Sequence, residues 1–177
     1  MNEKSIKIGF LTVSDRASRG EYEDLGGPAM QAWVKQAMDS PWHAEAMLVA
    51  DDQAQIEQAL IKLSDTLGCQ VILTTGGTGP AARDVTPEAT ENVCHRLLDG
   101  FGEQMRAVSL QTVPTAILSR QIAGTRGVSL IINLPGKPDS IAVCLSAVFL
   151  AVPKCLELLD GTHIRINREF IIANLQT

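Results

Sequence analysis

The sequence predicts an α/β fold, a three-layer α/β/α sandwich on a mostly parallel sheet, in a single domain spanning residues 1–177. Three observations predict it. Short apolar runs at residues 7–13, 69–73 and 128–134 are nearly continuous, as strands buried on both faces are. Between them stand patterns with apolar residues three and four apart, the period of amphipathic helices. Polar, glycine-bearing stretches follow the runs, at the strand ends where open α/β sheets bind ligands.

Taken in order, residues 7–13 read as a central strand, and Ser14-Asp15-Arg16-Ala17-Ser18 leaves it as a polar loop. By residue type alone, Ser14 and Asp15 suit a turn as well as they suit a ligand. Residues 21–27 are acidic and expected to be exposed. Pro28 opens a helix whose Met30, Trp33, Val34 and Ala37 share one face, with Trp33 in the core, and Pro41 closes it. A strand over 43–49 leads to Asp51-Asp52. A helix with Ile56, Ala59, Leu60, Leu63 and Leu67 on its apolar stripe comes next. One acidic residue would cap that helix, Asp52 being the better cap, and two in succession leave one spare.

The third unit is a strand over 69–73, a glycine loop, and a helix from Pro87 to about Leu97 with Thr86 as its N-cap. Residues 99–102 are expected to break the chain, and 103–113 to form a helix carrying Arg106. A short helix over 115–123 would carry Ser119 and Arg120, and 124–127 would be a turn. The fourth strand covers 128–134 and ends in the rigid Pro135-Gly136-Lys137-Pro138. Asp139 or Ser140 then caps a long apolar helix, bent or broken at Pro153. Residues 164–167 alternate like an edge strand.

The chemistry is expected in the stretch 73–88, Leu-Thr-Thr-Gly-Gly-Thr-Gly-Pro-Ala-Ala-Arg-Asp-Val-Thr-Pro-Glu. Gly76, Gly77 and Gly79 remove the Cβ atoms that would hold a ligand off the backbone, and such a loop turns its N–H groups toward an anion. The following helix aims its positive end at the loop. Arg83 and Asp84 put a cation and a carboxylate beside it. The stretch is not a P-loop, because no Lys-Ser/Thr follows the last glycine. Gly77-Thr-Gly79-Pro-Ala-Ala82 approaches the dinucleotide fingerprint, and a nicotinamide-dependent oxidoreductase is the reading it would support. Against that, the fingerprint opens the first strand–helix unit, whereas this loop follows the third strand.

Composition narrows the rest. Hydrophobic residues make up 45% of the chain, which excludes a disordered protein. Aromatics at 4% and a net charge of −5 argue against nucleic acid, which demands stacking platforms and a basic face. The phosphates are therefore those of a small molecule. The first residues carry no leader-like pattern, and the longest apolar run, 141–152, is too short to cross a bilayer. Cys69, Cys94, Cys144 and Cys155 are far apart and read as reduced thiols of a cytoplasmic protein. His43, His95 and His163 lack ligand spacing, so zinc is not expected.

Thr74-Thr75-Gly76-Gly77-Thr78-Gly79 followed by Arg83-Asp84-Val85-Thr86-Pro87-Glu88-Ala89 resembles the MogA-type molybdopterin adenylyltransferases. The resemblance extends to Ser14-Asp15-Arg16-Ala17-Ser18 and Ala50-Asp51-Asp52-Gln53. It continues in Gly100-Phe101-Gly102-Glu103-Gln104-Met105-Arg106, Ala116-Ile117-Leu118-Ser119-Arg120-Gln121 and Asn133-Leu134-Pro135-Gly136-Lys137-Pro138. It implies transfer of AMP from ATP to molybdopterin, with Asp51 and Asp84 catalytic and holding Mg²⁺ directly or through water. It further implies substrate or nucleotide contacts at Ser14, Asp15, Thr75, Gly76, Gly77, Thr78 and Gly79. Glu103, Arg106, Ser109, Ser119, Arg120, Pro135, Gly136 and Lys137 complete the implied site. A homotrimer and a downstream molybdate-inserting partner are also implied. A non-catalytic molybdopterin-binding or carrier module of the same fold is the alternative.

Overall fold

The structure is a computed structural model describing residues 5–175. Six strands, β1 (Ile6–Val13), β2 (Trp42–Val49), β3 (Val71–Thr75), β4 (Arg96–Leu97), β5 (Ala123–Arg126) and β6 (Ser129–Leu134), form one sheet in the order β2-β1-β3-β6-β5-β4. The pairs β1–β2, β1–β3 and β3–β6 are parallel, while β5 runs antiparallel to both β6 and β4.

Among the described residues are eight α-helices, the third continued by a π-helical turn over Lys62–Thr66: α1 (Asp15–Ser18), α2 (Gly26–Ala37), α3 (Gln53–Ile61), α4 (Thr86–Val93), α5 (Asp99–Ser109), α6 (Pro138–Val148), α7 (Val152–Asp160) and α8 (Arg168–Leu175). The pleat sorts the core into two layers. Ile6, Ile8, Phe10, Val71, Leu73, Leu130, Ile132 and Leu134 point to one face, against Met30, Trp33 and Val34 of α2, Met105 of α5 and the apolar sides of α6–α8. Leu11, Val13, Ile72 and Ile131 point to the other, against α3 and α4. Period-two alternation within each strand feeds both layers at once. The predicted three-layer sandwich is the observed one.

Several boundaries differ from the sequence expectation, each for a local reason. The third strand starts at Val71 and runs to Thr75, because Thr74 and Thr75 are buried between β1 and β6 and pair with both. Its helix stops at Val93, and the chain turns into β4 rather than continuing to Leu97. Residues 99–102 do not break the chain but open α5. Gly102 is needed there because a Cβ would lie 2.6 Å from the Gln121 carbonyl oxygen. Residues 114–118 form only a 3₁₀ turn, and residues 123–126, expected as helix end and turn, are β5. Neither Asp139 nor Ser140 caps α6, which starts at Pro138 after Lys137. The long helix is interrupted, as Pro153 suggested, by a 3₁₀ turn over Phe149–Ala151.

Ile166 makes only an isolated bridge to Met38, so residues 164–167 are not an edge strand of the sheet. The helical stretch Pro138–Asp160 is long and apolar enough by composition to cross a membrane. Ile141, Cys144, Leu145, Val148, Phe149, Val152 and Leu156 are nevertheless buried under the sheet, so it serves as a core element. Trp33 packs between Phe149 and Phe170, confirming its core role.

Candidate active site

The four loops leaving β1, β2, β3 and β6 meet at one edge of the sheet, and each is tied to another. The Asp15 N–H donates to Asp51 Oδ2 (2.8 Å), and the Asp51 N–H donates to Asp15 Oδ1 (3.1 Å), a reciprocal pair joining the first two loops. Arg83, from the glycine loop, forks onto Asp15 at 2.6 and 2.7 Å. Thr75 Oγ1 donates to the Pro135 carbonyl at 2.7 Å, closing the third loop onto the fourth.

Gly76 and Gly77 occupy the left-handed region, at φ +95° and +65°. A Cβ on Gly76 would stand 2.2 Å from the Val13 carbonyl oxygen, so only glycine lets the loop cross β1 here. The two carboxylates lean on the bare glycines. A Cβ on Gly77 would lie 3.2 Å from Asp51 Oδ1, and one on Gly79 would lie 2.7 Å from Asp84 Oδ2. Asp84 also accepts from the Ala81 N–H, which fixes the turn. Burial, more than the neighbouring Asp15 and Asp84 charges, pushes the Asp51 carboxyl above its ordinary range. Arg83 holds Asp15 below it. Asp51, from the loop after β2, and Asp84, from the glycine loop, are the donor type that suits Mg²⁺, which takes one or two carboxylates and fills its sphere with phosphate oxygens and water.

Two clefts flank this loop. The larger, about 520 Å³, lies between the glycine loop, the end of α5 and the start of α6. Thr78, Gly79, Arg106, Ser109, Ser119 and Gln121 are among its walls. The smaller, about 370 Å³, is walled by Ser14, Tyr22, Asp24, Thr75 and Gly76. Gly136 and exposed Lys137 border both. The predicted residues thus gather around the loop, although Asp51, Gly77 and Asp84 are among the walls of neither cleft, and five residues differ in role. Asp15 is occupied by Arg83 and Asp51. Ser14 Oγ accepts from the Ala17 N–H as the cap of α1. Arg120 spends its guanidinium on the Gly79 carbonyl (2.8 Å), the Asp84 carbonyl (2.6 Å) and Glu88, so it braces the loop and is not free for an anion. Glu103 is exposed on α5 and is not among the walls of either cleft. Thr86 does not cap α4; its hydroxyl donates to the Gly76 carbonyl at 2.9 Å and pins the loop. Asp52 caps α3, as expected, by accepting from the Gln55 N–H.

Sequence reasoning missed Asp24, in a stretch read only as exposed. Its carboxylate accepts from the Thr12 hydroxyl (2.8 Å) and the Gly27 N–H (3.0 Å) at the mouth of the smaller cleft. The acidic residue two before Gly26-Gly27 was the available signal. His95 accepts from the Gly127 N–H beyond the end of α4, a packing role. All four cysteines are free, with burial raising Cys69 and Cys94 to about 11.

A mostly parallel α/β sheet with a glycine loop flanked by two clefts at its strand ends belongs to the class of open sheets that bind ligands there. The family model described as "Probable molybdopterin binding domain" matches residues 9–154, and the chain belongs to that family. It is 54% identical over 170 residues to a molybdopterin adenylyltransferase of Helicobacter pylori, covering 96% of this chain and 97% of that one. It is 46% identical to the Escherichia coli K12 protein of the same name, covering 96% and 93%. Among solved structures, the molybdopterin biosynthesis enzyme MoaB of Thermus thermophilus superposes with a TM-score of 0.83 at 40% identity, covering 90% of this chain and 99% of that one.

Proposed function

We propose that the protein transfers AMP from Mg-ATP to the terminal phosphate of molybdopterin, in molybdenum cofactor biosynthesis. The observation that carries this reading is the glycine loop, on which Asp51 and Asp84 stand against Gly77 and Gly79 and which two clefts sharing Gly136 and Lys137 flank. Two clefts meeting at one anion-binding loop suit two substrates whose phosphates must touch.

In the step itself, an oxygen of the molybdopterin phosphate attacks the α-phosphorus of ATP. The bond from that phosphorus to the bridging oxygen breaks, and pyrophosphate leaves with the electron pair. No general base is required, since a phosphate monoester, with a second pKa of about 6, is largely ionised at neutral pH. The chain's work is therefore positioning and charge neutralisation. Backbone N–H groups of Gly77, Thr78 and Gly79 cradle phosphate, that of Gly76 donating instead to the Leu134 carbonyl, and Lys137 supplies a cation at the shared rim. Arg106, with one N–H on the Gln121 carbonyl, presents the rest of its guanidinium near Ser109 and Ser119. Asp51 and Asp84 would hold Mg²⁺, which neutralises phosphate charge when bound.

The same reading takes the protein as a cytoplasmic homotrimer that passes its product to a molybdate-inserting enzyme. Exposed Leu110, Val113, Ile117 and Leu118 offer apolar surface for a partner copy. Incubating the protein with ATP, Mg²⁺ and molybdopterin should yield adenylylated molybdopterin and pyrophosphate in equal amounts. Molybdopterin binding without pyrophosphate release would replace the reading with that of a carrier module.

A further inference from the structure

A residue in the wall of the larger cleft carries a buried polar atom that the fold leaves unused. Gln121 is 1% exposed, lines the cleft, and its Oε1 has no hydrogen-bond partner among the described residues. Its Nε2 donates only to the sulfur of buried Cys144 at 3.5 Å, a weak acceptor that in turn faces Ser109 Oγ at 3.7 Å. A leucine or methionine would fill this space without orphaning an acceptor, and a buried unpaired carbonyl costs the full loss of its hydration. Such an atom calls for a partner from outside the protein, a water or a ligand group.

The backbone around Gln121 is held unusually firmly for a residue between a 3₁₀ turn and a strand. Its carbonyl accepts from Arg106 Nη1 at 2.8 Å, and Gly102 approaches so closely that a Cβ would meet that oxygen at 2.6 Å. Asn133 of β6 locks the next residue from both sides, its N–H donating to the Ile122 carbonyl and its Oδ1 accepting from the Ile122 N–H. The main chain that carries the Gln121 side chain is thus fixed, its amide nitrogen is held by Cys144, and its side-chain oxygen is left over.

We propose that Gln121 Oε1 is a specificity-determining acceptor that reads an N–H donor on the edge of the heterocycle entering the larger cleft. The inference rests on the proposed function for the identity of that heterocycle, since both substrates carry the chemistry. Adenine presents a 6-amino group, and the pterin presents amino and ring N–H groups. A methyl-ended side chain in place of the amide should weaken the ring that uses it about tenfold, the size of one lost hydrogen bond to a buried acceptor.

The test is Gln121→Met, chosen to keep the volume and remove the acceptor. Calorimetric binding of ATP and of purine riboside triphosphate, which lacks the 6-amino group, is measured alongside the KM for molybdopterin. If adenine is the ring, wild type should prefer ATP about tenfold and Gln121→Met should lose that preference. If the pterin is the ring, the molybdopterin KM should rise about tenfold with kcat and ATP binding unchanged. A variant that changes melting temperature alone, leaving both substrates bound as before, would overturn the proposal and leave Gln121 structural. Because nucleotide binding is read without turnover, a failure of adenylyl transfer would register separately from the calorimetric result.

Discussion

Replacing Arg120 with alanine distinguishes a brace from a binding cation. Its guanidinium donates to the carbonyls of Gly79 and Asp84 at 2.8 and 2.6 Å and pairs with Glu88, while its own N–H donates to Thr78. Hydrogen bonds from a charged donor are worth about 1.5–3 kcal/mol each. With the side chain 37% exposed, solvent reclaims part of this, so the two carbonyl bonds together contribute about 2 kcal/mol. The Glu88 pair adds less than about 1 kcal/mol, because both ends are more than a third exposed. In a chain of this size each kcal/mol moves Tm by about 2–4 °C, so Arg120→Ala should melt roughly 4–12 °C below wild type. Thermal melts with and without Mg-ATP, set beside KM values for both substrates, make the assay. Glu88→Gln should lower Tm by less than about 4 °C. An Arg120→Ala protein with wild-type Tm and a raised KM would mean that the guanidinium serves the substrate and that the brace is incidental.

Other outcomes follow from the same geometry. Gly76→Ala should cost at least about 2 kcal/mol, since it combines a left-handed backbone with a contact to Val13 that no rotamer relieves, and it should abolish ATP binding in a calorimetric titration. Asp51→Asn should abolish turnover yet raise the Tm of the metal-free protein at neutral pH. Burial raises the folded-state pKa, so ionised Asp51 destabilises wild type, and the gain in Asp51→Asn should shrink as pH falls through the carboxylate range. A neutral-pH Tm below wild type would contradict this. For Asp15 the sign is opposite: Arg83 lowers its folded pKa, so its contribution is present at neutral pH and lost on acidification. Asp15→Asn should therefore flatten the acid limb of the Tm profile. It should also raise the Mg²⁺ concentration for half-maximal rate, because the frame that aims Asp51 loses its Arg83 anchor.

What the sequence disclosed and what it concealed separate along physical lines. The glycine loop was legible because consecutive left-handed positions leave glycine no substitute, and Asp52 was legible as a cap from its place before an apolar stripe. The β5 strand was not. Ala123-Gly124-Thr125-Arg126 has neither β-branched density nor alternation, and it is a strand only because β6 and β4 pair with it on both sides. Gly102 looked like a helix breaker, whereas α5 needs it to pass the Gln121 carbonyl. The roles of Asp15 and Arg120 were concealed for another reason. Their partners lie 68 and up to 41 residues away, so a residue that organises the site has the same local pattern as one that binds within it. Thr86 reads as a cap in sequence because the Gly76 carbonyl that draws its hydroxyl away is ten residues upstream.

Adenylyl transfer is most directly tested by following which phosphorus of ATP reaches molybdopterin. With ATP labelled at the α-phosphorus, the label should appear in the pterin product, and with ATP labelled at the γ-phosphorus it should appear only in pyrophosphate. Asp84→Asn, whose carboxylate faces Gly79, should give neither while keeping a cooperative melt. Label from the γ-phosphorus in the pterin product would mean phosphoryl transfer, and would contradict the assignment of this site to attack at the α-phosphorus.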